Sequence, residues 1–80
     1  MEGETRELTF GERAVGLDFN PSGNPLVRAV KEDYARIIDT LQNLRQATEN
    51  SDLEEIRLLS VAITEAQGSC MWSVKAITWK

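Results

Sequence analysis

An all-α fold, a short N-terminal helix followed by a long antiparallel helical hairpin, is what three features of this 80-residue chain predict. Apolar residues recur at spacings of three and four through two long stretches, the period of a helix resting on another helix. Turn formers concentrate in one short segment between the first two helices. Two helix starts carry Thr or Ser three positions ahead of glutamate, the capping-box form. No internal repeat or low-complexity tract appears, so residues 1–80 read as a single helical-hairpin domain. A chain of this size buries roughly 60% of its unfolded surface and usually needs staples or partners.

Taken in order, residues 1–8 are polar and charged and are expected to be flexible. Residues 9–16 read as a short helix: Thr9 and Glu12 form the capping box and Gly16 stops it. The alternative is a coil that packs Phe10 and Val15. Asp18-Phe19-Asn20-Pro21-Ser22-Gly23-Asn24-Pro25 then forms a dense turn, able to aim several backbone N–H groups at one point. The first long helix is assigned to residues 25–48, with Asn24 as N-cap and Pro25 at the first position, where its missing N–H costs nothing. Val27, Val30, Tyr34, Ile37, Leu41 and Leu44 supply its a/d stripe. Ser51 and Glu54 are read as a second capping box opening the last helix, residues 52–79. Each long helix spans roughly 35–40 Å, and a short connection makes them antiparallel.

The last helix is apolar on more than one side. Leu59, Ile63, Ala66, Cys70, Val74 and Ile77 form one core-facing stripe. Ala62, Ala66, Ser69, Ser73 and Ala76 form another, made of small residues, which suggests a seam where backbones approach closely. Leu58, Val61, Met71, Trp72 and Trp79 lie partly outside both. One partner helix cannot cover all of this, so self-association into a homo-oligomer is expected. Burial of each further Trp, Leu or Val contributes roughly 1.5–3 kcal/mol, which couples assembly to folding.

Nine basic residues stand against thirteen acidic ones, for a net charge of −4. That excludes long nucleic-acid polymers, whose binding needs a basic face that releases counterions. A small phosphorylated ligand needs only a few well-placed cations and amides, and it remains compatible. The opening MEGETREL lacks the basic-then-apolar order of a secretory signal, and no apolar run reaches about 18 residues. The cytosol is the default compartment, with no membrane partner.

Chemistry-bearing residues are few. There is no histidine, and the single cysteine offers neither a disulfide nor a zinc site. Cys70 sits in an apolar register and reads as a buried core thiol rather than a nucleophile. The acidic residues on the helices read as solvated faces, and Ser22-Gly23 falls far short of a P-loop. No catalytic residue, metal ligand or cofactor is expected. Binding remains, with Arg13, Phe19, Asn20, Ser22, Gly23, Lys31 and Arg57 as candidate ligand contacts. An aromatic face at Phe19 can stack a base, and the Asn20 amide can read its edge. Lys31 lies within reach of the turn, whereas Arg57 lies at the opposite end of the hairpin. For Arg13, Lys31, Arg57 and Lys75 the alternative is a surface salt bridge or a solvated charge. For Phe19 it is a ring folded back onto the hairpin.

The stretch GERAVGLDFNPSGNP, followed by a hairpin ending R-x-x-S-x-A-I-T-x-x-Q-x-x-x-M-W-x-V-K-A-x-T-W, resembles the phage hairpin-domain family of cyclic-nucleotide sponges, inhibitors of the CBASS and Thoeris anti-phage systems. The resemblance covers Gly11 to Trp79. It implies a homo-oligomer, commonly a hexamer, in the cytoplasm of an infected bacterial host. Such a protein sequesters cyclic di- or trinucleotides or cyclic ADP-ribose derivatives without cleaving them. It further implies an inter-subunit dinucleotide pocket using Phe19 and Lys31, and a separate trinucleotide site where subunits converge, using Arg57. Helical modules that pair with a protein partner, or that only oligomerise, are the readings of a different class.

Overall fold

The computed structural model describes residues 6–80; residues 1–5, part of the stretch expected to be flexible, lie outside the described residues. Three helices and no strand occur among the described residues: α1 (Phe10–Val15), α2 (Pro25–Ala47) and α3 (Leu53–Ile77).

Helix α1 is built by its ends. Thr9 accepts from the Glu12 backbone N–H while the Glu12 carboxylate accepts from the Thr9 N–H at 2.9 Å. The capping box thus satisfies two otherwise orphaned donors. Arg6 pairs with Glu12 at 2.7 Å, and together with the Thr9 N–H it holds the Glu12 carboxyl below the usual carboxylate range. At the other end Gly16 adopts φ 64, a left-handed conformation that costs glycine nothing. Gly16 N–H donates to Arg13 and Leu17 N–H to Glu12, the paired bonds of a Schellman motif. That motif turns Leu17 inward, where it is 1% exposed.

Helix α2 begins as its sequence predicts: Asn24 accepts from Leu26 N–H and Pro25 follows. Its buried face differs from the expected a/d stripe. Val27, Lys31, Ala35 and Ile38 are buried, whereas Ile37 and Leu44 are each 50% exposed. The reason is that α2 is covered on two sides, by α1 and by α3. The buried arc rotates to lie between them, beyond what a two-helix seam would bury.

Helix α3 starts one residue later than the Ser51 capping box would place it. Asp52 is the N-cap and accepts from Glu55 N–H, with Glu54 and Glu55 in the first turn. The helix ends at Ile77, short of Trp79. Ile63 and Cys70 of the expected core stripe are buried. The small-residue stripe is partly engaged within the subunit, because Tyr34 Oη lies 2.6 Å from Ser69 Oγ. A close backbone approach occurs instead at Gly11, where a Cβ would collide with the Ala35 carbonyl. Its N–H donates to Asp39 at 2.6 Å. Leu17, Val27, Ala35, Ile38, Ile63 and Cys70 make up the core.

Candidate functional site

The site sits where the α1–α2 loop meets the start of α2 and the end of α3. Asn20, Ser22 and Asn24 form a closed hydrogen-bond set. Asn20 Nδ2 donates to Asn24 O at 3.0 Å, Ser22 Oγ to Asn20 Oδ1 at 2.7 Å, and Asn24 N–H to Ser22 Oγ at 3.1 Å. Gly23, at φ 68, lets the chain turn back into the N-cap, and its N–H donates to Asn20 O. The Asn20 side chain therefore spends one donor and one acceptor lone pair on the loop. One N–H and one lone pair stay free for a ligand edge.

Lys31 departs from both alternatives weighed for it. It is neither a surface salt bridge nor a solvated charge, being 6% exposed. Its ammonium donates to Gly16 O at 2.8 Å and to Phe19 O. An ammonium has three donors, so one remains for a ligand. With Asp39 at one end of α1 and Lys31 at the other, α2 places unlike charges against both poles of the α1 dipole. Lys31 also lies 5.6 Å from the Phe19 ring centroid. That ring is 72% exposed rather than folded back, and offers a stacking face beside a cation.

Phe19, Asn20, Ser22 and Lys31 thus line one cavity of about 210 Å³, closed by Pro21, Val27, Val74 and Thr78. Gly23 shapes the turn without lining it. Arg13 stands on the exposed side of α1, outside this cavity. Arg57 is elsewhere, bound to Glu54 at 2.7 Å on the rim of a shallow groove with Ser60, Val61, Thr64 and Glu65. Thirteen residues separate Arg57 from Cys70, which is about 20 Å of helix. Cys70 itself lies near enough to Lys31 to feel its charge, so the two cations belong to different places within one subunit.

Val74 and Thr78 are the wall that the sequence reading missed. The signal was present: an antiparallel hairpin brings the last turn of one helix beside the first turn of the other. Burial pushes the Cys70 thiol up, outweighing the opposite effect of Lys31, so it stays protonated. No group of three or more His, Cys, Asp or Glu residues able to hold a metal occurs among the described residues. No described helix is long and apolar enough to cross a membrane.

The chain is a small helical hairpin with a polar turn, one anchored lysine and one exposed aromatic ring at its open end. The family model described as the Acb2/Tad1 hairpin domain matches residues 12–78, and the chain belongs to this family of anti-CBASS and anti-Thoeris sponges. Membership implies a cyclic-nucleotide sponge role. Neither a curated protein nor a solved structure matches the chain.

Proposed function

We propose that this protein is a homo-oligomer, a hexamer, that captures cyclic di- or trinucleotides or cyclic ADP-ribose derivatives in the cytoplasm of an infected bacterium and releases them unchanged. The observation that carries this reading is the pairing of the exposed Phe19 ring with the Lys31 ammonium on one cavity. A base stacks on the ring while the third ammonium donor meets a phosphate oxygen. The cavity of about 210 Å³ is smaller than the pockets of about 300–1,000 Å³ that enclose drug-sized ligands. A second subunit is therefore required to complete it. Exposed Met71, Trp72 and Trp79 on and just beyond α3 supply the surface for that assembly. Cys70 is buried and protonated and the chain has no histidine, so neither a thiolate nucleophile nor an imidazole base is on offer. That supports capture without cleavage. Arg57 serves a second, trinucleotide site where several subunits converge.

Native mass spectrometry with a panel of cyclic di- and trinucleotides and cyclic ADP-ribose derivatives tests the reading, reporting subunit and ligand numbers together. Ligand recovered after heat denaturation is expected intact. Phe19→Ala should weaken cyclic dinucleotide binding by about 1–3 kcal/mol, the worth of one stacked base, with unchanged helicity. Arg57→Ala should spare that binding and weaken trinucleotide binding. A monomer that binds none of the panel would instead favour a module that pairs with a protein.

A further inference from the structure

Helix α3 carries an outward stripe distinct from its buried face. Leu58, Val61, Glu65, Gly68, Trp72 and Lys75 follow one another at spacings of three and four, the register of a helix seam. Leu58 is 53% exposed, Val61 43% and Trp72 71%. The middle of the stripe is hollow: a Cβ built on Gly68 would meet nothing within 4 Å. Open grooves of about 480 and 290 Å³ flank this point, and both are lined by Gly68 and Trp72. Glu65 and Lys75 are exposed on the same stripe. Neither joins an ion pair with another described residue.

These features are complementary to themselves. A two-fold axis crossing an antiparallel α3 pair at position 70 sets each residue opposite the one equally far along on the partner. Five positions either side, Glu65 meets Lys75. Two positions either side, the Trp72 ring meets the gap over Gly68. A neighbouring register loses the match: with the axis between positions 68 and 69, Glu65 would face Trp72. Each contact occurs twice in such an isologous interface, so both charge pairs and both ring insertions act together.

We propose that α3 pairs antiparallel with α3 of a second copy about position 70, with Trp72 seated over Gly68 and Glu65 opposite Lys75. The proposal rests on the self-assembly argued above and specifies the contact that produces it. Glu65, Trp72 and Lys75 stand exposed on the folded subunit, so their replacement leaves the hairpin core untouched.

Charge exchange on the full chain tests it, with association followed by sedimentation and helicity by circular dichroism. Glu65→Lys and Lys75→Glu should each weaken α3-mediated association by about tenfold or more, as like charges then face each other twice. The double exchange should restore association to within about threefold of the unmodified chain. Gly68→Leu, which fills the gap, should weaken association while keeping full helicity. Single exchanges that leave association unchanged, or a double exchange no better than the singles, would overturn this contact while the oligomer survives. An unmodified chain that sediments as a monomer would overturn the contact and the oligomer together.

Discussion

At the end of the hairpin where α2 begins, Leu17 and Val27 are each 1% exposed and Lys31 6%, whereas at the turn end Leu53 is 71% exposed and Leu58 53%. The same two helices run through both ends. What differs is α1 and the loop after it, which lie against the first end only. A helix of six residues, about 9 Å long, cannot reach the turn. Where it does reach, α1 and the residues after it are tied to α2 by polar links as well as by the buried Leu17: Gly11 N–H on Asp39, and Lys31 on the Gly16 and Phe19 carbonyls. Order at the α1 end therefore rests on a few hydrogen bonds together with the burial of Leu17 and Val27.

The largest effect on this contrast is expected at Gly11. Gly11→Leu forces a side chain into the Ala35 carbonyl and should cost about 3 kcal/mol or more, since neither backbone can yield. Thermal unfolding should fall by about 12 °C or more in a chain of this size. A variant as stable as the unmodified protein would mean that α1 does not sit on α2 as described.

Lys31→Met comes next. It keeps the packed stem but strips two part-buried carbonyls of their donor, at about 1–3 kcal/mol by urea unfolding. It should also loosen Phe19, so hydrogen exchange at residues 16–23 should rise more than in the hairpin. Asp39→Ala should cost about 1–2 kcal/mol through its bond to Gly11, and Asp39→Asn less, because the amide oxygen still accepts.

A smaller effect concerns pH. Burial raises the folded-state pKa of the Cys70 thiol above its unfolded value, so the fold favours the neutral form. That contribution is fully present below the ordinary thiol value of about 8.5 and declines as pH rises past it. The urea midpoint should slope downward there in the unmodified chain, and the slope should flatten in Cys70→Ala. Smallest of all, Leu53→Ser should change subunit stability by no more than about 0.5 kcal/mol. If it costs as much as Asp39→Ala, a second copy covers the turn end in solution and the contrast belongs to the isolated subunit.

Helices and caps were legible because their causes are local. Thr9 and Glu12 bond each other within one turn, Gly16 supplies the left-handed residue, and Asn24-Pro25 starts α2 without help from distant groups. The family resemblance was legible for a related reason, being carried by linear strings at the two ends of the chain. Placement at α3 was less so, since Ser51 and Asp52 are equally good caps in isolation and only the path of the turn selects Asp52.

Half of the candidate site could be read in the same way. Phe19, Asn20 and Ser22 stand close together in one turn, and their grouping follows from connectivity. Lys31 was located correctly but its state was not. A lysine in a helix reads as solvated, and only the arrival of the Gly16 and Phe19 carbonyls from another element makes burial of its charge tolerable.

The sequence by itself determined that the chain is helical and where its turns lie, because period, capping and turn chemistry act over a few residues. Only the tertiary structure decided that Lys31 is a strut, that Val74 and Thr78 wall the cavity, that Gly11 must lack a side chain, and that Gly68 leaves a gap beside Trp72. Each of these depends on which helix faces meet, and on how α1 rotates the buried arc of α2. No single helix encodes those quantities alone.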